Sequence, residues 1–188
     1  LEHRRQRQMC IRDRSTVTQM ITKRGEAIFN ADNEVQKLYS SQKIQKKIFK
    51  KFKIKRKNFK KTLKRKIIKI PISLKKLGKL IHPYVRTNMK KFLKKHNKKK
   101  NLFFEIPLLV ESKLMKYFDI IILVIAPKNK RATRFCKKGG DILLFNILDN
   151  HQLKPKEKKK YSNFVIVNNQ SIKSLKIKVK NVMSKLKL

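Results

Sequence analysis

Three nearly unbroken apolar runs constrain the fold of this chain most strongly. They are LFFEIP at residues 102–107, DIIILVIAP at 119–127 and NFVIVNN at 163–169. Runs of this length without alternation are typical of parallel strands that helices cover on both faces of a sheet. Helical patterns follow the second run, near residues 128–138 and 141–152, and the third run, at residues 171–186. Strands that alternate with helices predict an α/β domain with a parallel sheet.

A second regular pattern fills residues 43–101, which are rich in Lys. Ile44 and Ile48 begin a series of apolar residues at steps of four, the spacing of one helix face. The series continues to His82-Pro83, and a further helix is predicted from Val85 to His96. This region therefore predicts a helical lobe within the α/β domain.

Residues 1–14 differ in composition from the rest of the chain. The segment LEHRRQRQMCIRDR is rich in Arg, whereas Lys predominates over Arg from Lys43 onward. The string MCIRDR also resembles a translated adaptor from sequencing-library preparation. We therefore predict that residues 1–14 are not native and that residues 15–188 form the native domain.

The net charge of +42 is compatible with two origins. A field this positive attracts nucleic acid or anionic lipid. However, Lys runs through almost the whole chain, and Lys, Asn, Ile and Phe have A/T-rich codons, whereas Gly, Pro and Trp are scarce. Composition favours genome drift over selection for a polyanion partner, and both causes can operate together.

Several classes of protein are disfavoured. Cys10 and Cys136 have no partnering pattern, and the four His residues are scattered, so neither a disulfide framework nor a zinc site is predicted. No apolar run is long enough to span a bilayer, and the basic N-terminus lacks the apolar centre of a signal peptide. We expect a soluble, cytoplasmic protein without membrane association.

The segment after residue 14 resembles the dephospho-CoA kinase family. Members of this P-loop kinase family carry TGGIGSGKSTV, then a helix, then R-G, then a strand that ends in D-A-D. Ser15-Thr16-Val17, Arg24-Gly25 and Asn30-Ala31-Asp32 match this series in order, with a short strand at Ala27–Phe29. Arg14 stands where the motif has Lys, and no glycine precedes it. The resemblance thus implies that the first central strand and the phosphate-binding loop are missing.

The resemblance assigns roles to residues of this first motif. Ser15 would hold Mg²⁺, and Ser15 and Thr16 would help to bind ATP. Asp32 would bind the acceptor and accept the proton of the ribose 3′-hydroxyl of dephospho-CoA. Asn30 departs from the first Asp of D-A-D and lacks its charge. Taken alone, Ser15 could be a helix N-cap and Asp32 could cap the helix that follows it.

Two further motifs point to the acceptor substrate. LIHPYVR at residues 80–86 is similar to the family's I-H-P-x-V-R, which implies that His82 and Arg86 bind substrate. FEIPLLVE at 104–111 is similar to D-I-P-L-L-F-E, which implies that Glu111 orients substrate or basic lid groups. The alternatives stay open: a packed helix-junction His, a solvated Arg and a structural salt bridge of Glu111.

The last motifs belong to a lid region, residues 128–160. Arg134 matches an Arg that closes over the ATP phosphates in the family, and Lys137 stands where the family usually has another Arg. Lys keeps the charge but loses the bidentate fork of Arg. Gln152-Leu153, Glu157-Lys158 and NFVI at 163–166 follow at the family's spacing.

Together these motifs imply a three-layer parallel sheet of the P-loop nucleoside-kinase type, with a helical substrate lobe and a lid. The implied reaction is phosphoryl transfer from ATP, with Mg²⁺, to the 3′-hydroxyl of dephospho-CoA, the last step of coenzyme A biosynthesis. Catalysis of this kind is mostly positioning and charge stabilisation, and we expect it to be impaired in this chain. The alternative is a basic, ribosome-associated nucleic-acid-binding protein, which explains the charge but finds no RNA-binding motif.

Overall fold

The computed structural model describes residues 6–10, 14–22, 26–54 and 57–186. The side chains of residues 6–10, 14 and 15 lie outside this description. So do most of the segment predicted to be non-native and the helix stop predicted at Arg24-Gly25.

The chain divides into two compact units. The first comprises residues 1–31, 96–134 and 152–188, and the second comprises residues 32–95 and 135–151. The first unit therefore contains the sheet, and the second contains most of the Lys-rich helical region.

Five parallel strands form one sheet in the first unit, in the order β2-β3-β1-β4-β5. The strands are β1 Gln6–Cys10, β2 Ala27–Asn30, β3 Leu102–Glu105, β4 Ile120–Ile125 and β5 Phe164–Val167. The three apolar runs of the sequence supply β3, β4 and β5, which confirms the predicted parallel sheet.

The central strand is present, contrary to our prediction that it is missing. Backbone pairs join Gln8 of β1 to Phe104 on one side and to Ile121 on the other. The prediction was based on the charged side chains of residues 1–14, which are unusual in a central strand. The ladder is made by main-chain N–H and C=O groups, which every residue of β1 supplies, and β3 and β4 each offer a row of such groups.

Nine helices occur in the described residues. They are α1 Arg14–Ile21, α2 Ala31–Ser40, α3 Gln42–Phe52, α4 Phe59–Lys69, α5 Ile72–Lys95, α6 Lys128–Lys137, α7 Ile142–Asn150, α8 Pro155–Lys159 and α9 Ile172–Lys185, with a short 3-10 turn at Met115–Tyr117. None of the described helices is long and apolar enough to cross a bilayer.

Helices α1 and α9 cover one face of the sheet. Their buried residues pack against Phe103, Ile122, Val124 and Ile166, which come from β3, β4 and β5; the helical members are Val17, Ile21, Leu175, Val179 and Val182. Phe104 follows Phe103 and therefore faces the opposite side, where its ring contacts Phe29 and Phe118. Apolar packing on both faces explains why these strands lack polar alternation.

The second unit has a helical core of its own. Apolar residues at steps of four in α3 and α4 pack with residues of α5; its buried members are Ile44, Ile48, Phe52, Phe59, Leu63, Ile67, Leu77 and Ile81. Helices α3, α4 and α5 thus lie within residues 42–95, and the extent of the predicted lobe, 43–101, stays a prediction.

Helix α5 runs through His82-Pro83, where the sequence predicted a boundary between two helices. Pro83 lacks an N–H and therefore removes one hydrogen bond of the helix. Leu77 and Ile81 before the proline and Val85 after it contact the same core. Burial of one apolar face on both sides of Pro83 thus keeps the helix continuous.

Candidate active site

The carboxyl ends of the five strands locate the candidate site of the first unit. In open α/β sheets, ligands bind in the crevice outside these ends. The strands end at Cys10, Asn30, Glu105, Ile125 and Val167. The residues that directly follow them are therefore the first candidates for function.

Ser15 and Thr16 lie in the first turn of α1, beyond the end of β1. Thr16 is half-buried, and the fully buried Val17 anchors the helix in the core of the first unit. Ser15 lies inside the helix and is not its N-cap. The N–H groups and the dipole of a helix N-terminus attract phosphate, and the ATP-binding role of these two residues stays a prediction.

Asp32 is the second residue of α2, which begins directly after β2. It belongs to the second unit, and it is exposed. It therefore lies within the first helical turn and does not cap α2 from outside. Glu34, two residues later, accepts hydrogen bonds from Lys37 Nζ at 2.7 Å and from Asn88 Nδ2 at 2.8 Å. Of these two carboxylates, Asp32 is the one exposed to solvent.

His82 and Arg86 lie one helical turn apart in α5, on one face of the second unit's longest helix. The imidazole of His82 packs over Gly78, since a β-carbon there would lie 3.4 Å from Nε2 of His82. Burial lowers the pKa of His82, and the positive charge of Arg86 and the neighbouring His151 lower the pKa further. The structure therefore brings the two predicted substrate ligands together and favours a neutral His82 at pH 7.

This lowered pKa predicts how stability depends on pH. The pKa of His82 is lower in the folded chain than in the unfolded chain, so at pH values between the two the unfolded chain binds more protons. Above its ordinary pKa, His82 is neutral in both states and does not change the free energy of unfolding. As pH falls below that pKa, protonation of the unfolded chain lowers the free energy of unfolding. We expect His82→Gln to gain stability relative to the unchanged chain as pH falls from about 7.5 to about 5. Urea unfolding at several pH values measures this, and a constant difference across the range would contradict it.

Glu111 forms a buried ion pair in the first unit. Its Oε1 lies 2.7 Å from Nζ of Lys158 and accepts the backbone N–H of Leu153 at 3.0 Å. The two side chains are 16% and 8% exposed. Within the described part of the chain no group donates to the other oxygen, Oε2, which is also buried. The salt-bridge alternative for Glu111 is therefore realised, and it ties the turn after β3 to the segment that leads into α8.

Breaking this pair should be costly. Removal of one member of a buried ion pair leaves an uncompensated charge and typically costs about 3–5 kcal/mol. We expect Glu111→Gln to lower the free energy of unfolding by that amount, as measured by urea unfolding. The matched control is Lys37→Met in the pair Lys37–Glu34, where Lys37 is 74% exposed and a change of at most about 1 kcal/mol is expected. If the two substitutions lowered the free energy of unfolding equally, the buried pair would contribute no more than the exposed one, contrary to this prediction.

Arg134 and Lys137 lie three residues apart in α6, which places them on neighbouring positions of one helix face. Arg134 is half-buried and Lys137 is exposed. The first of them belongs to the first unit and the second to the second unit. Both cations thus lie on one helix, and their role in a lid stays a prediction.

Sequence reasoning missed two side-chain pairs. Lys158 was noticed only as part of a motif, because a chain with 53 Lys and Arg residues gives no sign of which one is buried. Asn30 was noticed as a departure from D-A-D, but its partner Glu105 was not; Asn30 Nδ2 donates to Glu105 Oε2 at 2.8 Å. The available signal was that Asn30 follows the predicted strand Ala27–Phe29 and that Glu105 is a lone acid within the apolar run 102–107.

The predicted site residues are shared between the two units. Ser15, Thr16, Glu111 and Arg134 belong to the first, and Asp32, His82, Arg86 and Lys137 belong to the second. Among the described residues no group of three or more His, Cys, Asp or Glu side chains could hold a metal ion.

Comparisons with known proteins agree with the motifs. The family model for dephospho-CoA kinase matches residues 12–174. A dephospho-CoA kinase of Fusobacterium nucleatum is 30% identical over 172 residues, which cover 88% of this chain and 89% of the relative. A protein of Thermus thermophilus with a known crystal structure superposes with a TM-score of 0.72 at 24% identity, over 96% of both chains. A dephospho-CoA kinase from Campylobacter jejuni superposes with a TM-score of 0.64 at 21% identity, over 96% of this chain and 95% of the other.

Proposed function

This chain belongs to the dephospho-CoA kinase family, and from that premise we propose how its residues share the reaction. The family's activity is ATP-dependent phosphorylation of dephospho-CoA, the last step of coenzyme A biosynthesis. The transferred phosphoryl group moves between two oxygens, so the protein's tasks are to orient the hydroxyl, receive its proton and neutralise charge.

Asp32 is the proposed general base, and its position is the observation on which this proposal rests. Its carboxylate is exposed in the first turn of α2, two residues beyond the end of β2. An ionised carboxylate can accept the proton of the ribose 3′-hydroxyl as that oxygen attacks the γ-phosphoryl group. His82 and Arg86 on α5 are the proposed ligands of the acceptor's polar groups, with Arg86 supplying a positive charge for its phosphates.

Arg134 is proposed to stabilise the phosphoryl group during transfer, with Lys137 as a second cation on α6. The guanidinium fork suits phosphate oxygens, whereas a Lys contributes a point charge. Glu111 acts at a distance from the chemistry in this proposal. Its contacts with Lys158 and with Leu153 N–H hold the segment that leads into α8 and so orient the lid region.

We propose Mg²⁺ as the metal cofactor, with the hydroxyl of Ser15 as its protein ligand. Mg²⁺ usually keeps waters and substrate phosphates as ligands and takes only one or two from protein. One hydroxyl from Ser15, in the first turn of α1, is consistent with that habit. When bound with ATP, the metal neutralises phosphate charge.

The segment before Ser15 is the weak part of the proposed site. The G-x-x-x-x-G-K motif supplies backbone N–H groups and a Lys to the β- and γ-phosphates. In this chain Arg14 takes the place of that Lys, and the sequence before it has no glycine. We therefore propose that the chain as it stands holds ATP poorly while it keeps its acceptor residues. We place it in the cytoplasm, where ATP is available.

The charge of +42 adds a second, non-specific property, a weak attraction for nucleic acid. Titration calorimetry separates the two activities. We expect dephospho-CoA to bind the full chain at one saturable site at about 0.2 M salt, where non-specific contacts with RNA are weakened by screening. Random single-stranded RNA should not displace it. Loss of dephospho-CoA binding in proportion to added RNA, or no binding at all, would contradict the proposal.

A further inference from the structure

The junction between α4 and α5, in the second unit, exposes three consecutive apolar residues, Ile70, Pro71 and Ile72. Ile70 is 48% exposed and Ile72 is 55% exposed. A single exposed isoleucine is common on protein surfaces, so the informative feature is that these three residues lie together at one point of the surface. We call them the apolar corner.

Hydrogen bonds of the backbone hold the apolar corner in place. Ile70 N–H donates to Lys66 O at 2.8 Å, where α4 ends. Ser73 N–H donates to Ile70 O at 2.9 Å, where α5 begins. Leu74 N–H then donates to Pro71 O at 3.0 Å, and Ser73, next to the corner, is only 4% exposed. The apolar side chains are therefore held at the surface by the bonded ends of two helices.

Basic side chains flank the apolar corner, and this stretch of the sequence has no acidic ones. Lys69, Lys75 and Lys76 are all exposed, and residues 35–104 contain no Asp or Glu. Lys75 and Lys76 follow Ile72 by three and four residues, so they lie on the same face of α5, about one helical turn farther along it. The long stem of Lys can lie on apolar surface while its ammonium group reaches polar groups.

This combination fits the surface of an anionic bilayer. There, apolar side chains enter the boundary between headgroups and acyl chains, while Lys side chains contact the lipid phosphates. A nucleic acid also attracts Lys, but its bases stack on aromatic side chains, and the apolar corner has only aliphatic ones. The lysines thus fit either polyanion, whereas the two isoleucines favour lipid.

We propose that the apolar corner, together with Lys69, Lys75 and Lys76, docks the second unit on an anionic lipid surface. The inference goes beyond the proposed function and does not depend on it, because it uses no residue proposed to bind ATP or dephospho-CoA. It departs from the expectation of a protein without membrane association. That expectation considered spanning runs and signal peptides, and contact with the surface of a bilayer needs neither.

Co-sedimentation of the full chain with vesicles tests the proposal without changing the net charge. The vesicles contain phosphatidylcholine with about 30% phosphatidylglycerol, at about 0.15 M salt. We expect Ile70→Ser with Ile72→Ser to weaken binding about tenfold or more, since the apolar contribution is lost while every Lys remains. The matched control is Ile172→Ser with Ile177→Ser in α9, where the two isoleucines are 57% and 62% exposed. This control should stay within about threefold of the unchanged chain.

A second pair of variants tests the cations at the corner. Lys75→Gln with Lys76→Gln should weaken binding about tenfold or more, because both charges lie next to the lipid phosphates. The matched control, Lys90→Gln with Lys91→Gln, removes two exposed charges elsewhere on α5. Salt screens these more distant charges, so the control should stay within about threefold.

The outcomes separate docking at the corner from attraction by the overall charge. If each corner variant binds as its matched control does, or if the unchanged chain does not bind the vesicles, the docking proposal is wrong. Equal loss of affinity for random single-stranded RNA in Ile70→Ser with Ile72→Ser would instead identify a nucleic-acid surface. Ile70→Leu with Ile72→Leu keeps the apolar area and should bind within about threefold. Loss of vesicle binding in this variant too, with the fold intact by circular dichroism, would also overturn the proposal.

Discussion

Turnover of ATP and dephospho-CoA by the chain as it stands is expected to lie below detection. The γ-phosphate needs a cradle of backbone N–H groups and a Lys, and the sequence before Ser15 offers Arg14 and no glycine. Arg preserves charge, but its bulky planar group does not replace the compact ammonium of Lys. Catalysis of phosphoryl transfer consists largely of such positioning and charge stabilisation. Loss of the phosphate-binding loop should therefore remove most of the rate acceleration.

A coupled assay for ADP release in the presence of dephospho-CoA measures this directly. The matched control is a loop-restored variant, in which residues 1–14 are exchanged for an apolar strand followed by T-G-G-I-G-S-G-K. Turnover of the unchanged chain at about 1–100 s⁻¹, the usual range for kinases, would show that the phosphate loop is dispensable here.

Asp32→Asn in the loop-restored variant should lower kcat by about 10²–10⁴-fold, the usual contribution of a general base. Asn keeps the size and polarity of the side chain but cannot accept the proton of the 3′-hydroxyl. Because the substitution removes an interaction of the transition state more than of the bound substrate, KM should change much less than kcat.

Glu34→Gln is the matched control, since it neutralises a carboxylate in the same first stretch of α2. Glu34 already bonds to Lys37 and Asn88, so its loss of charge should leave kcat within about threefold. An unchanged kcat in Asp32→Asn would show that Asp32 is not the general base. Its role would then be to stabilise α2 by a favourable interaction with the helix dipole.

The apolar strands were predictable from sequence, whereas the polar strand was not. β3, β4 and β5 lie within the predicted apolar runs, and β3 and β4 are buried on both faces, which leaves no room for polar alternation. β1 has the sequence QRQMC, and these mostly polar residue types do not predict a central strand. Its place follows from the main-chain partners that β3 and β4 offer, a property of the assembled sheet.

The proposed site residues could be chosen from the sequence by type and position, but the contacts of such side chains could not. Asp32 and His82 could be found because they belong to motifs of fixed spacing. The contacts Glu111–Lys158 and Asn30–Glu105 join residues 47 and 75 positions apart, which only the folded first unit brings together. The continuity of α5 across Pro83 was also not predictable from local sequence. Both halves of the helix pack on one core, and this packing outweighs the tendency of proline to end a helix.

The identity of the reaction product tests the central claim most directly. The loop-restored variant is incubated with ATP labelled at the γ-phosphate and with dephospho-CoA, and the labelled product is identified by chromatography and mass spectrometry. The claim predicts that the label appears in coenzyme A, on the ribose 3′-oxygen, and that Asp32→Asn suppresses this product. Label found only in free phosphate or on another acceptor, with ATP bound and consumed, would contradict it.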